Sequence, residues 1–213
     1  PEHLALNTEV RERFHRKAET IANLNHPNIC TLYDIGEQPG PYGATQFLVM
    51  EYLEGETVAE RLSQSPDRER GAFRGLPLDQ VLEYAIEISD ALDKAHRKEI
   101  THRDIKPGNI MLIKSGSDWS TKLLDFGLAK LKQHAIKPPA PLGPDDPTPP
   151  IGKPTLDGTI LGTVQYMSPE QVEGRVDDID GRSDIFSFGA TVHEMATGKK
   201  AFTGKSQASV MAS

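Results

Sequence analysis

The sequence has little cysteine, no excess of positive charge and no long apolar run. A single cysteine, Cys30, among 213 residues excludes an intramolecular disulfide framework; its simplest interpretation is a small buried apolar side chain in a reducing compartment. No run of about 18 apolar residues occurs, so no membrane span is predicted. The formal net charge of -7 argues against nucleic-acid binding and against a basic face for anionic lipid.

The remaining composition is that of a globular domain, with 37% hydrophobic and 26% charged residues. The chain begins at Pro1 without Met and stops within a pattern at Ser213. We therefore expect a piece of a longer protein. The piece itself is expected in the cytoplasm, and any membrane anchor would lie outside it.

The most informative stretch is Thr101–Asn109, which reads THRDIKPGN. It places a carboxylate, an ammonium and a carboxamide on one short loop, as Asp104, Lys106 and Asn109. Sixteen residues after Asn109 comes the triplet Asp125-Phe126-Gly127. Phosphoryl transfer needs a carboxylate to take a hydroxyl proton, a cation on the transferring group and oxygen ligands for magnesium. This spacing suits that chemistry.

Together the two motifs closely resemble the catalytic loop and the metal-binding triplet of protein kinases, although either alone would more often be an ordinary turn. The resemblance implies ATP and Mg²⁺ as cofactors. It assigns the base to Asp104, the γ-phosphate contact to Lys106, and the magnesium ligands to Asn109 and Asp125. It also assigns supporting roles to five further residues: His102, Arg103, Phe126, Gly127 and Glu170. A guanidinium next to the base can pair with a phosphate on the activation segment.

Upstream, apolar spacing predicts a helix over Glu9–Leu24, and the following segment resembles the end of the kinase C helix and the next strand. Aligning on Asn25-His26-Pro27 places Lys17 where related bacterial kinases carry a glutamate. Two interpretations are open. In the first, the alignment is off by a residue or two, and Lys17 and Glu19 are charges on the protein surface. In the second, Lys17 replaces the glutamate. Residues Gln46–Leu53 predict a buried strand. By resemblance this is the hinge, with Met50 guarding the back pocket, backbone groups of Glu51 and Leu53 at the adenine edge, and Met111 beneath the adenine.

A long helix is predicted over Pro77–Arg97. Its expected buried face consists of Val81, Leu82, Ala85, Ile86, Ile88, Leu92 and Ala95. A strand over Ile110–Ile113, a hairpin turn over Ser115–Ser120 and a return over Lys122–Leu124 should lead to Asp125. A second apolar helix should run from Arg182 through Met195, with Asp184 accepting hydrogen bonds from backbone amides of the catalytic loop.

Between these elements, Lys132–Pro154 contains eight prolines and predicts a long loop. The Gly162-Thr163 and Ser168-Pro169-Glu170 motifs that follow resemble the closing end of a kinase activation segment. We predict phosphorylation at Thr155 and Thr159, and we expect Thr163 to help hold the base and the lysine.

These features predict an α+β, protein-kinase-like bilobal fold, mainly the helical large lobe with part of the small-lobe sheet and the C helix. Residues 1–53 would be the small-lobe remnant and hinge, and residues 54–213 the large lobe with an activation segment over 125–170. The predicted function is that of a bacterial-type serine/threonine protein kinase, because Lys106-Pro107 with Asn109 is typical of Ser/Thr specificity. Its partners would be protein substrates, and a dimer that phosphorylates itself in trans is compatible with this interpretation.

Two alternatives share parts of the pattern. The first alternative is a pseudokinase, which would bind nucleotide without turnover. A lysine in place of the C-helix glutamate, as Lys17 would be, favours this alternative. A small-molecule phosphotransferase has a similar catalytic loop but lacks the SPE segment and the RSDIFSFG helix. Because no glycine-rich loop and no strand lysine precede the C helix here, these 213 residues alone are expected to be inactive.

Overall fold

The structure is a computed structural model that describes residues 20–38, 45–64, 75–116, 118–126 and 164–204. The helix predicted over Glu9–Leu24 is therefore visible only from Thr20, and it ends at Ala22, two residues before the predicted end. Ile21 and Leu24 are buried. Several predicted features lie outside the described residues: Lys17, Glu19, Gly127, the Lys132–Pro154 loop, Thr155, Thr159 and Thr163.

The described strands form two antiparallel sheets. In the first, β1 (Leu32–Gln38) pairs with β2 (Thr45–Met50). In the second, β3 (Gly55–Thr57), β4 (Ile110–Ser115) and β5 (Asp118–Leu123) lie in the order β3-β4-β5. A parallel bridge between Ile29 and Leu123 ties the segment before β1 to the end of β5.

The hairpin between β4 and β5 is tighter than predicted. The turn expected over Ser115–Ser120 is wrong, because β4 continues to Ser115 and β5 already begins at Asp118. Gly116 has φ of +65°, a conformation that costs a residue without Cβ little and lets the chain reverse within a short connection. Trp119 consequently lies in a strand, where its ring stacks under the guanidinium of Arg61 at 4.3 Å.

The strand predicted over Gln46–Leu53 is shorter and more exposed than expected. β2 ends at Met50 instead of reaching Leu53, and Phe47 and Met50 are 46% and 44% exposed. Within the described part of the chain β2 has a strand neighbour on one edge only. Apolar alternation reports which side chains could be buried, but burial also requires a layer to cover them.

The described helices include α1 (Val58–Ser63), α2 (Leu78–His96), α3 (Pro169–Val172) and α4 (Gly181–Thr197). α1 starts with a capping box in which Thr57 and Glu60 satisfy each other's backbone amides. α4 starts at an Asp180 side-chain cap, and at its end the left-handed Gly198 donates its N–H to the Glu194 carbonyl.

The buried face of α2 differs from the prediction. Leu82 and Ile86 are 55% and 69% exposed. The buried residues of the helix are Val81, Tyr84, Ile88, Ala91, Leu92 and Ala95. At about 100° per residue Ile86 lies about 140° around the helix from Val81 and cannot share its face.

One hydrophobic core joins these elements and determines where the THRDIKPGN loop lies. α2 packs against both α4 and β5. The loop leaves the end of α2 through buried Ile100, is held from beneath by fully buried Ile105 and Ile110, and continues directly into β4. The loop is therefore supported on both sides by packed elements, as precise placement of a catalytic group requires.

Candidate active site

The structure brings Asp104, Lys106 and Asn109 together on one carboxylate. The Nζ of Lys106 lies 2.9 Å from Asp104 Oδ2. The side-chain amide of Asn109 donates to the same oxygen at 2.9 Å and to the Asp104 carbonyl at 2.7 Å. Ile105, which is buried, separates Asp104 from Lys106, so both polar side chains reach the same side of the loop. The predicted base, cation and carboxamide thus form one connected group.

Asp184 holds the backbone of this loop from below. Its side chain is fully buried in α4, and its two oxygens accept the amides of His102 and Arg103, each at 2.8 Å. A third donor, Nε2 of His96 at the end of α2, lies 2.8 Å from Oδ2. A buried carboxylate needs such partners, because leaving it unpaired would be very costly. The predicted contact between Asp184 and the loop amides is confirmed.

His102 connects the catalytic loop to the DFG motif. Burial lowers the pKa of its imidazole and favours the neutral ring, which has one donor and one acceptor. Nε2 lies 2.9 Å from the Leu124 carbonyl, and Nδ1 accepts the Asp104 amide at 3.3 Å. Buried Phe126 stacks on the ring with centroids 4.5 Å apart. His102 and Phe126, both predicted as supporting residues, thus contact each other between the catalytic loop and the Asp125-Phe126-Gly127 triplet.

Asn109 and Asp125 fit a magnesium site that would be completed by other ligands. Because Nδ2 of Asn109 points at Asp104, the Oδ1 oxygen, which is the atom a metal would take, lies on the other side of the amide. The Leu124 amide donates to the Asn109 carbonyl at 2.9 Å, which brings the exposed Asp125 next to that residue. Mg²⁺ is typically bound by one or two protein oxygens together with phosphates and water. No group of three or more His, Cys, Asp or Glu residues that could hold a metal occurs among the residues described.

Glu51, which was predicted to lie in the hinge, is held by both its backbone and its side chain. Its amide donates to the Thr31 carbonyl at 2.9 Å, so the adenine contact predicted for its backbone would have to use the Glu51 carbonyl. Its carboxylate pairs with Lys122 Nζ at 2.8 Å and accepts the Thr31 amide at 3.1 Å. Burial opposes ionisation of Glu51, but these hydrogen bonds outweigh it and hold the pKa of the carboxyl below its ordinary value. Met111 pairs in register with Lys122. Its side chain therefore lies on the same face of the sheet as Lys122, which contacts Glu51.

Two further residues predicted to support the site, Arg103 and Glu170, lie in the described part of the chain. Arg103 has φ of +69°, a sparsely populated conformation for a residue with a Cβ, as is common at functional sites. Glu170 accepts a short hydrogen bond from the Ser183 hydroxyl, which lowers the pKa of the Glu170 carboxyl. This contact ties the Ser168-Pro169-Glu170 motif to the first turn of α4.

Sequence reasoning missed several residues around the site. Lys122, His96 and Gln171 all contact residues of the predicted machinery, and Gln171 donates to the Arg103 carbonyl at 2.8 Å. Only Gln171 had a local signal, since Ser168 and Gln171 stand at the spacing of a capping box. Lys122 and His96 meet partners 71 and 88 residues away, and no local pattern indicates such contacts.

Comparison with known proteins identifies the family. The model of the protein kinase domain matches residues 4–213. The chain belongs to the protein kinase family. The small antiparallel sheets and the packed helices described above are those of its α+β, bilobal fold, and the resemblance inferred from the motifs is confirmed.

Several curated relatives of this kinase domain are bacterial serine/threonine-protein kinases. A probable serine/threonine-protein kinase of Streptomyces coelicolor is 36% identical over 207 residues, which cover 97% of this chain and 27% of the relative. PknB of Mycobacterium leprae is 34% identical over 207 residues, with coverages of 97% and 29%. PknA of Corynebacterium glutamicum is 35% identical over 205 residues, with coverages of 96% and 37%. The chain thus spans between 27% and 37% of the length of these relatives. Among its described helices, none combines the length and apolar character needed to cross a membrane.

Proposed function

We propose that this domain transfers the γ-phosphate of ATP to serine and threonine hydroxyls of proteins. The observation that carries the proposal is the convergence of Lys106 and Asn109 on one oxygen of Asp104, each at 2.9 Å. A carboxylate held in this way by two donors has a fixed orientation. It can accept a proton from a hydroxyl that approaches its other oxygen.

Each residue of the group has a proposed role. Asp104 orients the acceptor hydroxyl and takes its proton, and Lys106 moves from Asp104 towards the γ-phosphate when nucleotide is present. Asn109 and Asp125 supply oxygen ligands for magnesium. Mg²⁺ bound to ATP would neutralise charge on the phosphates. The carbonyl of Glu51 and the backbone of Leu53 would hold the adenine edge, with Met111 beneath it and Met50 at the back of the pocket.

Substrates, partners and location extend this proposal. We place protein substrates at the cleft beside Asp104, in line with the names of the curated relatives. Residues 1–53 are assigned to the small lobe and hinge and 54–213 to the large lobe, with the activation segment over 125–170. The cytoplasm supplies the ATP that the reaction needs. A dimer that phosphorylates itself in trans would bring the activation segment of one copy to the other's base.

The test is phosphate transfer by the parent protein with ATP and magnesium, using a generic Ser/Thr protein substrate beside a panel of small alcohols and aminoglycosides. We expect phosphoserine or phosphothreonine on the protein and no product from the small molecules. Product from the small molecules alone would overturn the proposal. Binding of ATP without any transfer would instead point to a pseudokinase, the alternative suggested by the alignment of Lys17 with the C-helix glutamate.

A further inference from the structure

Gln171 uses both ends of its side-chain amide to join two separate parts of the site. It lies in α3, directly after the Ser168-Pro169-Glu170 motif. Its Oε1 accepts the backbone amide of Ser168 at 3.0 Å, and its Nε2 donates to the backbone carbonyl of Arg103 at 2.8 Å. The first bond requires an oxygen and the second a nitrogen, so the two contacts together fix the orientation of the amide.

The carbonyl that Gln171 holds belongs to the backbone of the base. The Arg103 carbonyl and the Asp104 amide share one planar peptide unit, so fixing the oxygen fixes the plane from which the Asp104 side chain starts. The amide of the same unit donates to His102 Nδ1 at 3.3 Å. On the preceding side, Asp184 holds the Arg103 amide at 2.8 Å. Arg103 is therefore clamped at both its N–H and its C=O while it adopts φ of +69°.

We propose that Gln171 is a positioning residue for Asp104, through which the closing end of the activation segment sets the orientation of the catalytic base. The inference rests on the proposed function, because it assigns Asp104 as the base. Gln171 contacts neither the hinge nor the proposed magnesium ligands among its described hydrogen bonds. Its loss should therefore lower kcat and leave the KM for ATP unchanged.

The competing explanation is that Gln171 only caps α3. Gln171→Glu separates the two explanations, because glutamate at the third position of a capping box accepts the Ser168 amide as well as glutamine does. It has no N–H for the Arg103 carbonyl and sets a second oxygen against it. Ser168→Ala is the matched control. It removes the Ser168 hydroxyl, which is half of the α3 capping box and also bonds Glu170, but it leaves both contacts of the Gln171 side chain with backbone groups in place.

The experiment compares the parent protein with these two variants by steady-state kinetics, thermal unfolding and hydrogen exchange. Since a misplacement of about 1 Å can cost about a hundredfold, we expect Gln171→Glu to lower kcat by at least about tenfold. The KM for ATP should be unchanged, the melting temperature should fall by only about 2–4 °C for the one hydrogen bond lost, and exchange should be faster only at residues 103–106. Ser168→Ala should keep kcat within about threefold of the parent.

Two results would overturn the proposal: a Gln171→Glu variant with the kcat of the parent, or one that loses activity together with ATP affinity and melts well below that range. If the parent itself transfers no phosphate, the proposed function fails separately. The positioning contact is then decided by hydrogen exchange alone: faster exchange at residues 103–106 in Gln171→Glu, but not in Ser168→Ala, supports it. Unchanged exchange refutes it.

Discussion

Replacing Asp184 by asparagine should loosen the catalytic loop while preserving shape and volume. The carboxylate accepts three hydrogen bonds of 2.8 Å, from the amides of His102 and Arg103 and from His96 Nε2. Asparagine has one acceptor oxygen. If the asparagine oxygen keeps the contacts with His102 and His96, the asparagine NH₂ group faces the Arg103 amide. The buried N–H of Arg103 is then left without an acceptor.

The magnitude follows from these contacts. One unsatisfied buried donor costs about 1–3 kcal/mol. The bonds that remain change from charge-assisted to neutral, which removes about 1 kcal/mol more. We therefore expect Asp184→Asn to lower the free energy of unfolding by about 2–4 kcal/mol. Because the freed amide belongs to Arg103, directly before the base, kcat should fall by about a hundredfold at temperatures where the variant is folded.

The assay is urea denaturation of the parent protein together with phosphate-transfer kinetics. Asp180→Asn is the matched control, since it makes the same change four residues earlier on an exposed cap of the same helix. Asparagine is as good a cap as aspartate, so the control should retain both stability and rate. The reasoning would be refuted if Asp184→Asn unfolded within about 0.5 kcal/mol of the parent and kept its rate within about threefold.

The remaining predictions concern three other places in the molecule. After incubation with ATP and magnesium, mass spectrometry should find phosphate at Thr155 or Thr159; if the double alanine variant keeps the parent's rate, these sites do not act as a switch. Because burial lowers the pKa of His102 below its ordinary 6.5, the unfolded state binds the proton first. The stability from His102 should thus be complete above about pH 6.5 and be lost as the pH falls, so His102→Asn should flatten the pH dependence of unfolding there; an unchanged slope would contradict it. A double-mutant cycle on Glu51→Gln and Lys122→Met should give a coupling energy of about 0.5–1 kcal/mol, and zero coupling would show that the pair does not stabilise the hinge.

Motifs with fixed spacing were the part of the site that the sequence could predict. Asp104, Lys106 and Asn109 stand within six residues of one another, so their convergence follows from local loop geometry. The Asp184 contact was also predicted, because a buried carboxylate at the start of an apolar helix requires donors. By contrast, His96 and Lys122 contact their partners only once α2, α4 and β5 have packed. The residues next to them in the sequence give no indication of which partners these are.

The fold shows the same division. The existence of α2 followed from its periodic apolar residues and its proline start, yet Leu82 and Ile86 were assigned to the wrong face. Apolar residues occur around much of this helix, and the choice among faces is made by the elements that pack on it. Tyr84, now fully buried, was missed for the same reason. The turn between β4 and β5 was predicted too long because its polar residues suggest a turn. Only the pairing of the strands shows that Trp119 and Ser120 already belong to β5.

The central claim, that Asp104 is the base of an ATP-dependent protein phosphorylation, is tested most directly by Asp104→Asn in the parent protein. Single-turnover phosphate transfer should be measured beside the dissociation constant for ATP. The account predicts that transfer falls by at least about a thousandfold while ATP binding stays within about threefold, because the base and the nucleotide pocket are separate parts. Transfer within a few-fold of the parent would contradict it.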